Sequence, residues 1–250
     1  MPEGDTIAWT ASRLRPILEG RVPDQIESPR NPDWPGRLAG RRITRIDTRG
    51  KHLFLHFDGG LVLHSHLGMT GSWIVRPQRP YSSRAWLTLG ADGRWVVQLG
   101  GPTLELLTEG RARFDHRLAA LGPDVLAPSF DAGRFVHLLR SDDQTRPLGD
   151  ALLDQRNVAG IGNIWKAEGC WEAAVDPWRP VSAVRDDEAV AVIEAARPRM
   201  LRSARQGPRG IVPRVYNRAG RPCPRCGTRI LARGQGDANR TTYWCPGCQR

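Results

Sequence analysis

His52-Leu-Phe-Leu-His-Phe57, Asp58-Gly-Gly60 and Leu61-Val-Leu-His-Ser-His66 read as two short strands joined by a hairpin turn. Further β-like runs flank this hairpin: 43–47 before it, and 72–75, 85–89 and 94–99 after it, with Ala91-Asp92-Gly93 as a second hairpin turn. Several short strands at close spacing predict an antiparallel sandwich or barrel rather than a parallel sheet with crossover helices. On both flanks the pattern changes. Between residues 5 and 19, Ile7, Ala11, Leu14 and Leu18 recur at helical spacing, with Asp5 or Thr6 available as N-cap and Gly20 as stop. After a linker-like stretch at 121–128, the runs 131–139, 148–154, 161–171 and 186–205 have helical character, up to the Gly- and Pro-containing loop 206–210.

A chain of 250 residues with 40% hydrophobic content can bury a real core, enough for one or two domains and a small appendage. Lys and Arg number 37 against 26 acids, so the net charge of +11 attracts polyanions, and nucleic acid is the first partner to consider. No stretch approaches the roughly 20 apolar residues of a membrane span, and the N-terminus lacks a basic-then-apolar signal pattern. A soluble, intracellular protein is expected, without a membrane partner. There is no internal repeat.

Four of the five cysteines form two pairs, Cys223-Pro-Arg-Cys226 and Cys245-Pro-Gly-Cys248, with eighteen residues between them. That spacing matches a ribbon-type zinc site, in which two tight turns each present a thiolate pair. Four sulfur ligands satisfy tetrahedral Zn²⁺ and leave no open position for water, so the expected zinc is structural. A redox role for either pair is the weaker reading, because so short a tail does not fold alone. Arg225 within the first pair, and Arg229, Arg233 and Arg240 between the pairs, would present guanidinium groups to phosphate. Cys170, in an apolar helical context, reads as a buried free thiol.

At the other end, removal of Met1 exposes Pro2 as a secondary amine. An α-amino group titrates near pH 8, so a useful fraction is neutral and nucleophilic at physiological pH, unlike a lysine. Such an amine can attack C1′ of a damaged deoxynucleotide, displace the base and form an imine that acidifies the 2′ hydrogen, after which elimination cuts the strand. Glu3 adjoins it and can shuttle protons. By itself Met-Pro-Glu is merely the start of a chain.

Four separated segments together resemble the formamidopyrimidine-DNA glycosylase and endonuclease VIII family: Met1-Pro-Glu-Gly-Asp5, Asp47-Thr-Arg-Gly-Lys-His-Leu-Phe-Leu-His-Phe57, Leu152-Leu-Asp-Gln-Arg-Asn-Val-Ala-Gly-Ile-Gly-Asn163 and the cysteine segment. They span nearly the whole chain in the family's order. The resemblance implies an α+β multidomain fold with an N-terminal β-sandwich (1–122), a helical helix-two-turn-helix domain (123–216) and a C-terminal zinc β-hairpin (217–250). It also implies a bifunctional glycosylase and abasic-site lyase acting on damaged DNA, as a monomer in the cytoplasm. Carried onto this chain, Pro2 is the Schiff-base nucleophile, Glu3 the general acid and base, and Lys51 the proton donor associated with β-elimination. Arg240 assists δ-elimination and holds phosphate. Asn163, with the free N–H groups of its helix start, binds a phosphate flanking the lesion, and Lys166 one turn on adds charge there or faces solvent.

An extrahelical nucleotide leaves a gap that apolar side chains usually fill. Met69, in the loop His66-Leu-Gly-Met69, resembles the family's wedge, which is preferred here to a methionine packed in the core; Arg113-Phe114 resembles a second loop that contacts the opposite strand. The start and the cysteine segment favour endonuclease VIII and hence oxidised pyrimidines, whereas Leu67-Gly-Met69 looks more like the formamidopyrimidine branch and oxidised purines. The family places contacts to the flipped base in the loop 203–216. His64 and His66 share a strand face but show no evident third ligand, and read as polar strand residues. Two other classes remain: a non-catalytic zinc protein that docks on damaged DNA, and an RNA-modifying zinc protein, which has no use for an N-terminal Pro-Glu.

Overall fold

The computed structural model describes residues 2–80 and 82–250; Met1, whose removal the sequence reading expects, lies outside them. The chain opens with α1 (Gly4–Leu18), followed by β1 (Gln25–Glu27), α2 (Trp34–Leu38), β2 (Ile43–Arg49), β3 (His52–Phe57), β4 (Leu61–His66), β5 (Ser72–Arg76), β6 (Ala85–Ala91), β7 (Arg94–Leu99), β8 (Thr103–Thr108), α3 (Glu109–Arg113) and α4 (His116–Ala119). Two antiparallel four-stranded sheets form, in the orders β1-β6-β7-β5 and β2-β3-β4-β8, so of the two expected architectures the chain adopts the sandwich. Strand periodicity explains the faces. Leu53, Leu55 and Phe57 of β3 and Leu61 and Leu63 of β4 enter the core with Leu87, Leu89 and Val96 of the other sheet and with Ile7, Leu14 and Leu18 of α1. The short β1, β8, α2, α3 and α4 have no counterpart among the runs read from sequence.

The other face of the second sheet carries the rings. In register, His52 pairs with His66 and Phe54 with His64. Ring centroids lie 4.8 Å apart for His52 and His66, 5.1 Å for His52 and His64, and 4.9 Å for Phe54 and His64. His52 Nδ1 and His64 Nε2 share a hydrogen bond of 2.8 Å. Burial, reinforced by His66 and His64, pushes the His52 pKa down to about 3; burial likewise lowers His64 to about 4. His52 thus joins the two histidines singled out in the sequence, but the metal-competent cluster found among the described residues is the four cysteines, not these rings.

Beyond residue 119 come α5 (Ala132–Ser141), α6 (Leu148–Ala151), α7 (Asn163–Glu172), α8 (Asp186–Gln206) and a hairpin of β9 (Leu231–Gln235) and β10 (Arg240–Trp244). Contacts group the chain into two units, Thr6–Ala119 with Pro2, and Ala120–Arg250 with Glu3–Asp5. Asp131 caps α5 by accepting from Arg134 N at 2.9 Å, and the acidic Asp186, Asp187 and Glu188 sit at the positive end of α8. The helices α7 and α8 approach closely at Gly169, where a Cβ would lie 2.7 Å from Val192 O. Trp171 of α7 shares an apolar cluster with Val215, Ile230, Cys223 and Cys245, which seats the hairpin. No helix among the described residues is long and apolar enough to cross a membrane.

The ring ladder predicts acid sensitivity. His52 and His64 titrate near 6.5 when unfolded but far lower when folded, so below pH 6.5 the unfolded chain binds protons that the fold refuses. Stability should be full above pH 6.5 and fall on acidification towards pH 4, by up to about 1.4 kcal/mol per pH unit for each histidine. Thermal melts between pH 7 and 4 should show this slope, and His64→Phe should flatten it.

Candidate active site

The N-terminal segment is locked into the second unit by backbone and side chain together. Gly4 N donates to Gly160 O at 2.9 Å, and a Cβ on Gly4 would meet Gly160 Cα at 3.0 Å. Glu3, 1% exposed, accepts from Gly162 N (2.9 Å), Ile164 N (2.8 Å) and Trp165 N (3.3 Å) at the start of α7. A helix leaves its first N–H groups without intrahelical partners and carries positive potential there, so one carboxylate meets both needs. Asp5 Oδ2 accepts from Ser203 Oγ, with both residues buried. The expected N-cap of α1 at Asp5 or Thr6 is therefore corrected: α1 begins at Gly4, and the Asp5 carboxylate is engaged with α8 instead.

The same contact corrects the expected phosphate site. The N–H groups of Gly162, Ile164 and Trp165 at the start of α7 are not free, because Glu3 holds them. What Asn163 offers is its side chain, whose Nδ2 donates to Thr241 O at 2.8 Å. Lys166 is corrected too. It is neither solvated nor at a surface: it is 0% exposed, and its Nζ donates to Thr242 Oγ1 at 2.5 Å. Burial lowers its pKa to about 8, with Arg240 acting the same way and Cys170, Asp150 and Glu3 opposing.

In the first unit, Lys51 stands in the two-residue turn between β2 and β3, with Gly50 at φ 56° supplying the left-handed conformation the turn requires. Its ammonium contributes to lowering the pKa of His66, after burial. Met69 is 68% exposed and Phe114 81%, which excludes the reading of Met69 as a core residue. The Arg113 guanidinium lies 5.9 Å from the Phe114 ring centroid. That turn is braced by Thr108, which caps α3, and by Arg117, which pairs with Glu105 at 3.1 Å and Asp115 at 2.6 Å.

The four cysteine sulfurs lie within 4.8 Å of one another, with Cys223 and Cys248 3.8 Å apart and Cys226 and Cys245 3.5 Å apart. A tetrahedron with Zn–S bonds of about 2.3 Å has edges of about 3.8 Å, so the donor set fits a closed metal site. Arg240 opens β10, paired with Gln235 across the hairpin.

Glu168 was not singled out in the sequence. Its carboxylate, 1% exposed, accepts from Arg214 N, Val215 N and Tyr216 N, and from Arg199 Nη1 at 2.6 Å, which fixes the end of the loop 203–216. A glutamate within the apolar face of α7 was the available signal.

Residues 1–101 match the model of the formamidopyrimidine-DNA glycosylase N-terminal domain, and residues 121–212 match that of the formamidopyrimidine-DNA glycosylase H2TH domain. The chain belongs to the formamidopyrimidine-DNA glycosylase family. It is 42% identical to a probable endonuclease 8 2 of Streptomyces coelicolor, covering 100% of this chain and 94% of that protein. It is 37% identical to the DNA-(apurinic or apyrimidinic site) lyase Nei2 of Mycolicibacterium smegmatis, over 100% and 99% of the two chains. Among solved structures, the MutM (Fpg) protein of Thermus thermophilus superposes with a TM-score of 0.82 at 31% identity, over 99% of this chain and 98% of that one. In this chain Glu3-Gly4 and Gly160-Ile-Gly162, which belong to two of the matching segments far apart in sequence, are in direct contact.

A methyl group at Gly162 would sit 2.3 Å from Glu3 Cδ, so Gly162→Ala should expel the carboxylate and leave N–H donors unmet. The expected loss is about 2–4 kcal/mol, or a Tm lower by roughly 5–10 °C. Gly133→Ala in α5, where a Cβ meets only Asp131 Oδ1 at 3.8 Å, should leave Tm unchanged or raise it slightly.

Proposed function

We propose that this chain is a bifunctional DNA glycosylase and abasic-site lyase of the endonuclease VIII type, with Pro2 as the nucleophile. The observation that carries the reading is the capture of Glu3 by the start of α7, which fixes the residue bonded to Pro2. A start segment without a role has no need of so rigid an anchor.

The freed amine of Pro2 attacks C1′, the bond to the damaged base breaks, and the base leaves with a proton. The amine loses its proton, the C1′–O4′ bond breaks as O4′ takes up a proton, and the resulting iminium acidifies the 2′ hydrogen, so that successive β- and δ-eliminations release the two phosphates. Glu3 exchanges protons with sugar and amine, Lys51 donates a proton in β-elimination, and Arg240 holds the phosphate that leaves in δ-elimination. Asn163 binds a flanking phosphate. The exposure of Met69 supports its insertion into the gap left by the extruded nucleotide, and that of Phe114 supports contact of the Arg113-Phe114 turn with the opposite strand. Damaged DNA is thus the partner, bound by a monomer in the cytoplasm, and the basic balance of the chain favours it.

The cysteine set holds one structural zinc; four thiolates leave no coordination position for substrate, and the metal supplies rigidity to the hairpin that carries Arg240. Oxidised pyrimidines are the preferred lesions, since the higher identities are to the endonuclease 8 2 and Nei2 proteins rather than to MutM.

Borohydride should trap a covalent adduct on duplexes carrying thymine glycol or an abasic site, and Pro2→Gly should lower its yield at least about tenfold. Adducts with 8-oxoguanine alone would move the lesion preference to purines, and binding without adduct or nicking would leave a docking protein. Metal analysis should find one zinc per chain, and its removal by a chelator should abolish DNA binding while the first unit stays folded.

A further inference from the structure

The proposed chemistry gives no task to Lys166, yet its burial is costly. Placing an ammonium beyond the reach of water costs several kcal/mol, and an apolar side chain of similar volume would fill the same space more favourably. Here Lys166 Nζ donates to Thr242 Oγ1 at 2.5 Å and lies 3.5 Å from Gln235 Oε1; Thr242 Oγ1 donates to Gln235 Oε1 at 2.7 Å, and Gln235 Nε2 to Pro177 O at 2.8 Å. Thr242 is 0% and Gln235 3% exposed. Arg240 lies two residues before Thr242 on β10 and directly opposite Gln235 on β9, so all three side chains share one face of the hairpin. From the other side of the same junction, Asn163, one turn before Lys166 on α7, donates to Thr241 O at 2.8 Å.

We propose that Lys166 is a positioning residue: anchored in α7, its ammonium grips the cysteine-bearing hairpin at Thr242 and Gln235, so that Arg240 and Asn163 meet DNA phosphate at a fixed spacing. This rests on the reading of Arg240 and Asn163 as phosphate ligands. Arg240 from β10 faces the ammonium as a like charge, while Asp150 of α6, Cys170 of α7 and Glu3 face it as groups that favour the cation. A bound phosphate would join the second set. The cation is present at pH 7 and is lost as the pH rises through about 8, so the grip loosens in alkali.

The test is binding of the intact, metal-loaded protein to a duplex with a tetrahydrofuran abasic analogue, which cannot be cut. Wild type, Lys166→Met, Thr242→Val, Arg240→Ala and the Lys166→Met/Arg240→Ala pair are compared at pH 7 and pH 9.5, with zinc content and Tm recorded for each. The N-terminal amine titrates in the same range but is common to all. Lys166→Met should bind about tenfold more weakly than wild type at pH 7 and less than about threefold more weakly at pH 9.5. Thr242→Val should weaken binding in the same direction, and in the Arg240→Ala background Lys166→Met should add less than about twofold. A loss equal at both pH values and additive with Arg240→Ala, or no loss with zinc and Tm intact, would overturn the proposal. Unimpaired binding by Arg240→Ala would instead remove the reading of Arg240, and the inference with it.

Discussion

Three backbone N–H groups at the start of α7 converge on a carboxylate that comes from the third residue of the chain. A helix start buried without partners would be unstable, and a buried carboxylate without donors would be more so; each removes the other's penalty. The contact demands close backbone approach, which Gly4, Gly160 and Gly162 permit and which a single Cβ at Gly162 would prevent. The proposed nucleophile is bonded to the residue so held.

Buried charge is distributed along α7 in a regular way. Glu3 meets its first turn, the Lys166 ammonium meets the hairpin one turn later, and the Glu168 carboxylate gathers three successive N–H groups of residues 214–216. Each of these groups ties a distant segment of the chain to a helix that has a core behind it. Apolar contact already seats the hairpin, with Ile230 and Cys245 against Trp171, but apolar packing is non-directional. Hydrogen-bonded charge adds direction as well as distance.

The first unit shows the converse. Its sandwich core is apolar and self-sufficient, and two large apolar side chains, Met69 and Phe114, are left in solvent beside it. An isolated exposed apolar side chain needs no explanation, but Phe114 follows a capped and ion-paired turn, and both match the proposed contacts with an opened duplex. On the outer face of the β2-β3-β4-β8 sheet, histidines are stacked so tightly that burial keeps them neutral, which strengthens the floor below the Lys51 turn at neutral pH and weakens it in acid.

The sequence by itself determined the elements with strong local signals. The strands at 52–57, 61–66 and 94–99 and the long helix after residue 186 coincide with the reading, because period-2 and period-3.6 patterns, acidic helix starts and Asp-Gly turns act over a few residues. It also determined the four-cysteine cluster, since spacing alone limits which thiols can converge. The tertiary structure alone decided what is buried. Lys166 reads from sequence as a phosphate ligand or a solvated lysine and is neither, and His52 gave no sign of standing against His64 and His66. Glu168 and the true start of α1 were hidden for the same reason: their partners lie tens of residues away or more. A side chain's periodicity is set by its neighbours along the chain, but its solvation and charge state are set by groups that only folding brings near.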